Sequence, residues 1–169
     1  MRKLLYLLHG KGGSPTGTVA KIEETLKAEL AEFEFRRERM PHSDPNVLAQ
    51  DSLPHLDTLS IPHRALILGV SLGGLVAARY QETKRPDLGV ICLSSPTWAD
   101  GVKLATKPPN RIAVYSSNDD VIQGRTADWH NLAEAHDVPT LTHATDQHLE
   151  LLRPILVDAI HRLSASSTS

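Results

Sequence analysis

Short runs of apolar residues, each ended by glycine or polar turn residues, recur along this chain of 169 residues. The strongest runs occupy positions 4–8, 65–68, 89–93 and 112–115. Runs of this length without polar alternation are typical of strands that are buried on both faces of a parallel sheet. Such a sheet needs helices on both faces, and this requirement favours the α/β fold class.

Amphipathic segments separate the runs, as a parallel sheet requires. In residues 18–30 the apolar residues fall on one helical face: Val19, Ile22, Leu26 and Leu30. Four further helices are predicted, at 46–56, 74–83, 123–136 and 149–163, and two weaker strands at 32–37 and 140–142. The sequence therefore predicts a mostly parallel sheet of about five to six strands. We expect residues 1–163 to form a single domain and 164–169 a disordered tail.

Composition excludes several classes of function. The chain has 18 basic and 20 acidic residues, so its formal charge of -2 indicates neither nucleic acid nor an anionic membrane as a partner. The lone cysteine, Cys92, cannot form an intramolecular disulfide and is expected in the core. The apolar run at 4–8 is too short for a signal peptide. We expect a cytoplasmic monomer or homodimer.

A five-residue motif at the end of the second run indicates chemistry. The segment Gly69-Val70-Ser71-Leu72-Gly73 matches G-x-S-x-G, directly follows the strand at 65–68, and precedes a helix. A sharp turn between strand and helix is what places a nucleophilic serine above the sheet, and flanking glycines relieve collisions in that turn. Ser71 is therefore the candidate nucleophile.

A serine hydroxyl needs a histidine base, and that histidine needs a carboxylate to orient it. Asp119 and Asp120 both follow the strand at 112–115, and either is a candidate on its position. His148 lies between the predicted last strand and the final helix, so we predict that it is the base. His143 is the weaker candidate because it lies too close to the strand expected at 140–142.

Two backbone N–H groups are expected to hold the oxyanion of an acyl-transfer reaction. We predict that Leu72 supplies one and that Lys11, or alternatively Gly12, supplies the other from the glycine-rich loop after the first strand. Residues that follow strands at the same end of the sheet are candidates for the substrate pocket: Gly10, Gly12, Met40, His42, Trp98 and Ile122.

These motifs resemble those of the α/β hydrolase family, specifically of its small, nearly capless bacterial esterase-like members. The resemblance runs from Leu4 to about Leu163 and depends on four segments: 8–10, 69–74, 118–122 and 147–148. In such relatives a branched apolar residue commonly follows the acid two or three positions later, which favours Asp119. The chain differs from such relatives in two respects. Gln147 replaces the usual glycine or asparagine before the histidine, and segment 94–111 is too short for a lid.

The resemblance implies hydrolysis of a carboxylic ester or thioester. Ser71 would attack the acyl carbon of a small-molecule substrate, His148 would accept its proton, and Asp119 would hold His148 in place. No cofactor and no metal are expected. The alternatives are a non-catalytic binding protein on the same scaffold, or an acyltransferase or amidase.

Overall fold

Six parallel strands form one sheet in the computed structural model, which describes residues 2–166. In chain order these strands are β1 (Lys3–Leu8), β2 (Phe33–Glu38), β3 (Leu66–Val70), β4 (Gly89–Leu93), β7 (Arg111–Tyr115) and β8 (Glu134–Asp137). Their order across the sheet is β2-β1-β3-β4-β7-β8, and every neighbouring pair is parallel. The carboxyl ends of all six strands therefore meet at one edge of the sheet.

The helices cover both faces of this sheet, as predicted. They are α1 (Thr18–Leu26), α2 (Ala49–Ser52), α3 (Leu72–Thr83) and α4 (Leu149–Ser166), supplemented by short 3₁₀ turns. Alternate residues of each buried strand enter separate cores: Leu5 and Leu7 pack with α1 and α4, whereas Tyr6 and Leu8 pack with α2 and α3. This alternation is the period-two geometry of a strand.

The segment between β4 and β7 is short. It forms only a two-stranded antiparallel hairpin of β5 (Trp98–Ala99) and β6 (Val102–Lys103). The prediction of a minimal cap is confirmed, and the carboxyl edge of the sheet stays open.

The region after β7 differs from the prediction. Residues 123–136 do not form a helix: Gly124 has a φ of +81°, and the segment instead contains a 3₁₀ turn at Trp129–Asn131 followed by strand β8. The Nε1–H of buried Trp129 donates to the Ser95 carbonyl at 2.8 Å. Residues 140–142 lie at the end of a turn and in the loop that follows it, and do not form the last strand.

β8 lacks the apolar pattern of a strand because it lies at the sheet edge and three of its four residues are exposed. It is held by its ladder with β7 and by ion pairing. Two guanidinium nitrogens of Arg162 each donate to a Glu134 carboxylate oxygen at 2.7 Å, and this pairing lowers the pKa of Glu134 to about 2.

The C-terminal prediction also needs correction. Residues 164–166 continue α4 rather than forming a tail, and buried Ser164 accepts a hydrogen bond from Lys3 Nζ at 2.6 Å. The remainder of the predicted tail, 167–169, lies outside the described residues. Within residues 2–166, none of the helices combines the length and the hydropathy that a membrane span requires. The cytoplasmic location stays a prediction.

Candidate active site

The turn between β3 and α3 has the backbone geometry that the G-x-S-x-G motif predicts. Ser71 adopts φ +52° and ψ −121°, in a region that residues with side chains rarely occupy. Its N–H donates to the Leu93 carbonyl at 2.8 Å, so neighbouring strand β4 holds the turn in place. A strained serine between a buried strand and a helix presents its hydroxyl above the sheet edge.

Glycine is required at positions 69 and 73, because a side chain at either position would collide with backbone atoms. A Cβ on Gly69 would lie 2.4 Å from the carbonyl carbon of Gly73. A Cβ on Gly73 would lie 2.5 Å from the carbonyl oxygen of His9. Neither atom can move without shifting the main chain, so Gly69 lets α3 begin this close to β3, and Gly73 lets it begin this close to the end of β1.

The Ser71 hydroxyl is hydrogen-bonded to a histidine, and that histidine is hydrogen-bonded to a carboxylate. Ser71 Oγ lies 3.0 Å from His143 Nε2, and His143 Nδ1 lies 2.8 Å from Asp119 Oδ2. Because a carboxylate only accepts, Nδ1 carries the proton and the Nε2 lone pair faces the serine. This tautomer is the one that a general base for Ser71 requires.

Asp119 is placed where the sequence predicted it, and two backbone N–H groups hold its side chain. Its side chain is buried, and Oδ1 accepts the N–H groups of Val121 at 3.0 Å and Ile122 at 3.3 Å. Asp120 is exposed and does not contact His143. Between the two candidate aspartates, the structure brings only Asp119 to the site.

The prediction that His148 lies at this position is wrong. His148 Nε2 lies 2.9 Å from Thr142 Oγ1 and 3.2 Å from Thr142 N, so its ring closes the local turn. The error came from the strand expected at 140–142. Because the last strand ends at Asp137, the connection to α4 is longer, and His143 lies six residues inside it.

Long-range contacts bring this connection to the acid. The Pro139 carbonyl accepts hydrogen bonds from Ser116 Oγ at 3.3 Å and from Asn118 Nδ2 at 3.2 Å. Val138 N–H donates to the Tyr115 carbonyl at 2.7 Å, and Leu141 is buried. These contacts hold the loop after β8 against the loop after β7.

The two predicted oxyanion donors lie beside the serine. Lys11 and Leu72 line the same cleft as Ser71, and a Cβ on Gly10 would lie 3.2 Å from Ser71 Cβ. The N–H of Gly12 donates to the His42 carbonyl at 2.8 Å, so Gly12 is not a free donor. Within residues 2–166, the backbone N–H groups of Lys11 and Leu72 have no protein acceptor.

Two buried histidines support this loop from behind. His9 Nδ1 lies 2.8 Å from the Gly10 carbonyl, and its Nε2 accepts the Met40 N–H at 2.9 Å. His42 Nε2–H donates to the His9 carbonyl at 2.8 Å, while its Nδ1 lies 2.9 Å from Ser52 Oγ. Burial lowers the pKa of His9, and it lowers that of His42 to about 4, so both rings are neutral near pH 7.

These contacts correct part of the predicted substrate pocket. Met40 and His42 are fully buried and do not line the cleft, and neither does Gly12, which has a φ of +73°. Trp98 is 48% exposed and stands outside the cleft lining. Gly10 and Ile122 do line the cleft, as predicted.

The cleft around Ser71 has a volume of about 630 Å³, within the range of small-molecule sites. Sequence reasoning missed several of its lining residues: Asp100, Val121, Arg125 and Thr145. The Thr145 hydroxyl is buried and has no hydrogen-bond partner among residues 2–166. Within the same range, no group of three or more His, Cys, Asp or Glu side chains is arranged to hold a metal ion. The missed lining residues come from loops after different strands, so the sequence carries no local signal that places them in one cleft.

Comparison with family models and with curated proteins finds no match to this sequence. Comparison with solved structures finds many similar folds. Mouse alpha/beta hydrolase domain-containing protein 10 is 10% identical with a TM-score of 0.73, covering 95% of this chain and 90% of its own. The ydeN gene product of B. subtilis is 18% identical with a TM-score of 0.71, covering 96% and 99%.

A third structure is Est1E from Butyrivibrio proteoclasticus with ferulic acid bound. It is 16% identical to this chain with a TM-score of 0.72, covering 96% of this chain and 90% of its own. At these identities the comparison establishes the fold alone, and it agrees with the parallel sheet described above. The chain has the α/β hydrolase fold.

Proposed function

We propose that this protein is a serine hydrolase that cleaves a carboxylic ester or thioester, with Ser71 as nucleophile, His143 as general base and Asp119 as the orienting acid. The observation that carries the proposal is the continuous hydrogen-bonded chain from Ser71 Oγ through His143 to Asp119, at a strained turn. Ser71 holds a positive φ that strains a residue with a side chain, and strain of this kind clusters at active sites, which favours a chemical role.

In the first half of the reaction, Ser71 Oγ attacks the acyl carbon and its proton passes to His143 Nε2. The tetrahedral oxyanion accepts hydrogen bonds from the N–H groups of Leu72 and Lys11. As the carbon–oxygen or carbon–sulfur bond breaks, His143 returns the proton to the leaving alkoxide or thiolate. The products of this half are a free alcohol or thiol and an acyl-enzyme on Ser71.

In the second half, water enters the open cleft and loses a proton to His143 as its oxygen attacks the acyl carbon. The bond between that carbon and Ser71 Oγ then breaks, and His143 gives the proton back to the serine. The carboxylic acid leaves and the enzyme is regenerated. Asp119 stabilises the imidazolium that forms twice in the cycle, and its buried carboxylate is prepared for this by two backbone N–H donors.

The other candidate functions have weaker support. A non-catalytic binding protein would not need the base and acid hydrogen-bonded in series behind the serine. An acyltransferase must exclude water in favour of another acceptor, whereas the hairpin of β5 and β6 leaves this cleft open. These observations favour water as the acyl acceptor.

A fluorophosphonate probe tests the proposal because it labels activated serines without requiring the natural substrate. We expect the wild-type protein to be labelled once and Ser71→Ala to be unlabelled. The matched control is Ser14→Ala, because Ser14 also lines the cleft but contacts Thr16 rather than a histidine. Labelling of folded Ser71→Ala, or a folded wild-type protein that resists the probe, would refute the proposal.

A further inference from the structure

Of the two basic side chains that line the cleft around Ser71, one is paired with a carboxylate and the other is not. Lys11 and Asp100 form an ion pair of 2.8 Å, so their charges offset each other. Arg125 also lines the cleft, and within residues 2–166 no carboxylate lies in ion-pair range of its guanidinium. Asp119 does not offset this charge, because its side chain is only 1% exposed and faces His143. The cleft thus holds one uncompensated cation in a protein whose formal charge is -2.

The guanidinium of Arg125 is held in position and keeps most of its donors unused. Its central carbon lies 5.3 Å from the centroid of the Trp98 ring, a cation–π distance. One terminal nitrogen makes a single long contact of 3.5 Å with the Val121 carbonyl. A stacked guanidinium loses little rotamer freedom when it binds a ligand, and its planar fork matches the two oxygens of a carboxylate.

The backbone of Arg125 is fixed as well. Its N–H donates to the Ile122 carbonyl at 2.9 Å, and its carbonyl accepts the Thr97 N–H at 2.7 Å. The residue before it, Gly124, has a φ of +81°, and this left-handed conformation turns the chain so that Arg125 returns to the cleft. The same turn begins at Ile122, whose N–H donates to the acid Asp119, so the cation is built onto the loop that carries the acid.

We propose that Arg125, stacked on Trp98, is the residue that selects the substrate, and that the substrate is an ester bearing a carboxylate away from the scissile bond. This inference rests on the proposed hydrolase function. One guanidinium fork balances one monovalent carboxylate, whereas a phosphate dianion would call for a second free cation. Among the residues lining the cleft, Lys11 is the other cation, and it is already paired with Asp100.

Matched ester pairs test the selection on each side of the scissile bond. On the acyl side, mono-para-nitrophenyl adipate and para-nitrophenyl hexanoate differ in a terminal carboxylate or methyl group. On the alcohol side, meta-acetoxybenzoate and meta-acetoxybenzamide differ in charge at one ring position. The readout is the ratio of kcat/KM for the anionic ester to that for its neutral partner.

We expect the wild-type protein to prefer the anionic ester of at least one pair, and Arg125→Gln to lower that ratio roughly tenfold or more. Turnover of the neutral ester should change less than about twofold, which also shows that the variant is folded. Arg125→Lys and Trp98→Ala should give intermediate ratios. The first variant keeps a positive charge but loses the guanidinium fork, and the second removes the ring on which Arg125 stacks. The charge-matched control is Arg2→Gln, which removes a cation from the opposite edge of the sheet and should leave the ratio unchanged.

Raising the ionic strength from about 0.02 M to about 0.5 M should reduce the wild-type ratio and have little effect on that of Arg125→Gln. Equal ratios in the wild-type protein and Arg125→Gln for both pairs, with neutral esters still hydrolysed, would overturn this inference alone. A loss of the ratio in Arg2→Gln would overturn it as well, because the preference would then reflect overall charge. Failure of every ester together with absence of fluorophosphonate labelling would instead overturn the proposed hydrolase function.

Discussion

The nucleophile side and the base side of this site are built in different ways. The serine turn and the oxyanion loop are held by backbone contacts so close that a single Cβ at Gly69 or Gly73 would collide with main-chain atoms. The loops that carry Asp119 and His143 are joined by side-chain hydrogen bonds between segments more than twenty residues apart. Backbone constraint leaves a local sequence motif, whereas a side-chain contact between distant loops does not.

The identity of the base provides the sharpest test of the base side. We expect His143→Ala to lower kcat/KM for a neutral ester by roughly ten-thousandfold, because Ser71 would lose the group that accepts its proton. The matched variant His148→Ala removes a ring that is hydrogen-bonded to Thr142 rather than to Ser71, and its effect should stay below about threefold. Steady-state kinetics on folded variants checks both. Full activity in His143→Ala with loss in His148→Ala would restore the assignment made from sequence.

The two adjacent aspartates allow a similar comparison. Asp119→Asn should lower kcat roughly a thousandfold, because an amide cannot both keep the Val121 and Ile122 N–H contacts and hold His143 in the same tautomer. Asp120→Asn changes an exposed side chain and should leave kcat nearly unchanged. The measurement is kcat under saturating ester. Equal losses in the two variants would mean that the loop, rather than the carboxylate, matters.

The nucleophile side is tested through stability. Gly73→Ala places a Cβ 2.5 Å from the His9 carbonyl oxygen, and we expect it to lower the free energy of unfolding by roughly 3 kcal/mol. The control is Gly17→Ala, where the new Cβ would meet its nearest neighbour at 3.6 Å and the cost should stay below about 1 kcal/mol. Urea denaturation measures both. Equal stability of the two variants would show that the elbow tolerates a side chain.

The smallest expected effect concerns the buried histidine behind the oxyanion loop. His42 has a pKa of about 4 in the folded protein and about 6.5 when unfolded, so between these values the unfolded chain binds more protons. Stability from His42 is therefore complete above about pH 6.5 and is lost as the pH falls toward 4. The loss at pH 5, relative to pH 7.5, should be roughly 2 kcal/mol.

Denaturation of the wild-type protein, His42→Gln and His130→Gln at these two pH values measures this contribution. We expect the pH dependence to be smaller in His42→Gln by that amount and unchanged in His130→Gln, because His130 is exposed. An unchanged pH dependence in His42→Gln would mean that His42 is not held neutral by the fold.

The sequence by itself determined the fold class, five of the six sheet strands, the elbow serine and the absence of a large cap. Most of these depend on local chemistry: the run at 89–93 is buried on both faces, and Gly69 is required by contacts with Gly73 and Gly74 within the turn. The acid was found for a related reason. Asp119 accepts N–H groups only two and three residues ahead of it, so its placement is local.

Only the tertiary structure decided which histidine meets Ser71. Strand β8 is polar and lies at the sheet edge, so its sequence does not show the apolar pattern that marks a strand. The sequence therefore predicts that the loop before the final helix begins after residue 142, whereas it begins after Asp137. The position of His143 follows from contacts of Pro139 with Ser116 and Asn118, and that of Arg125 from stacking on Trp98. Contacts between residues far apart in the chain leave no periodic trace in the sequence, because each joins single groups of two segments rather than a repeating set of positions.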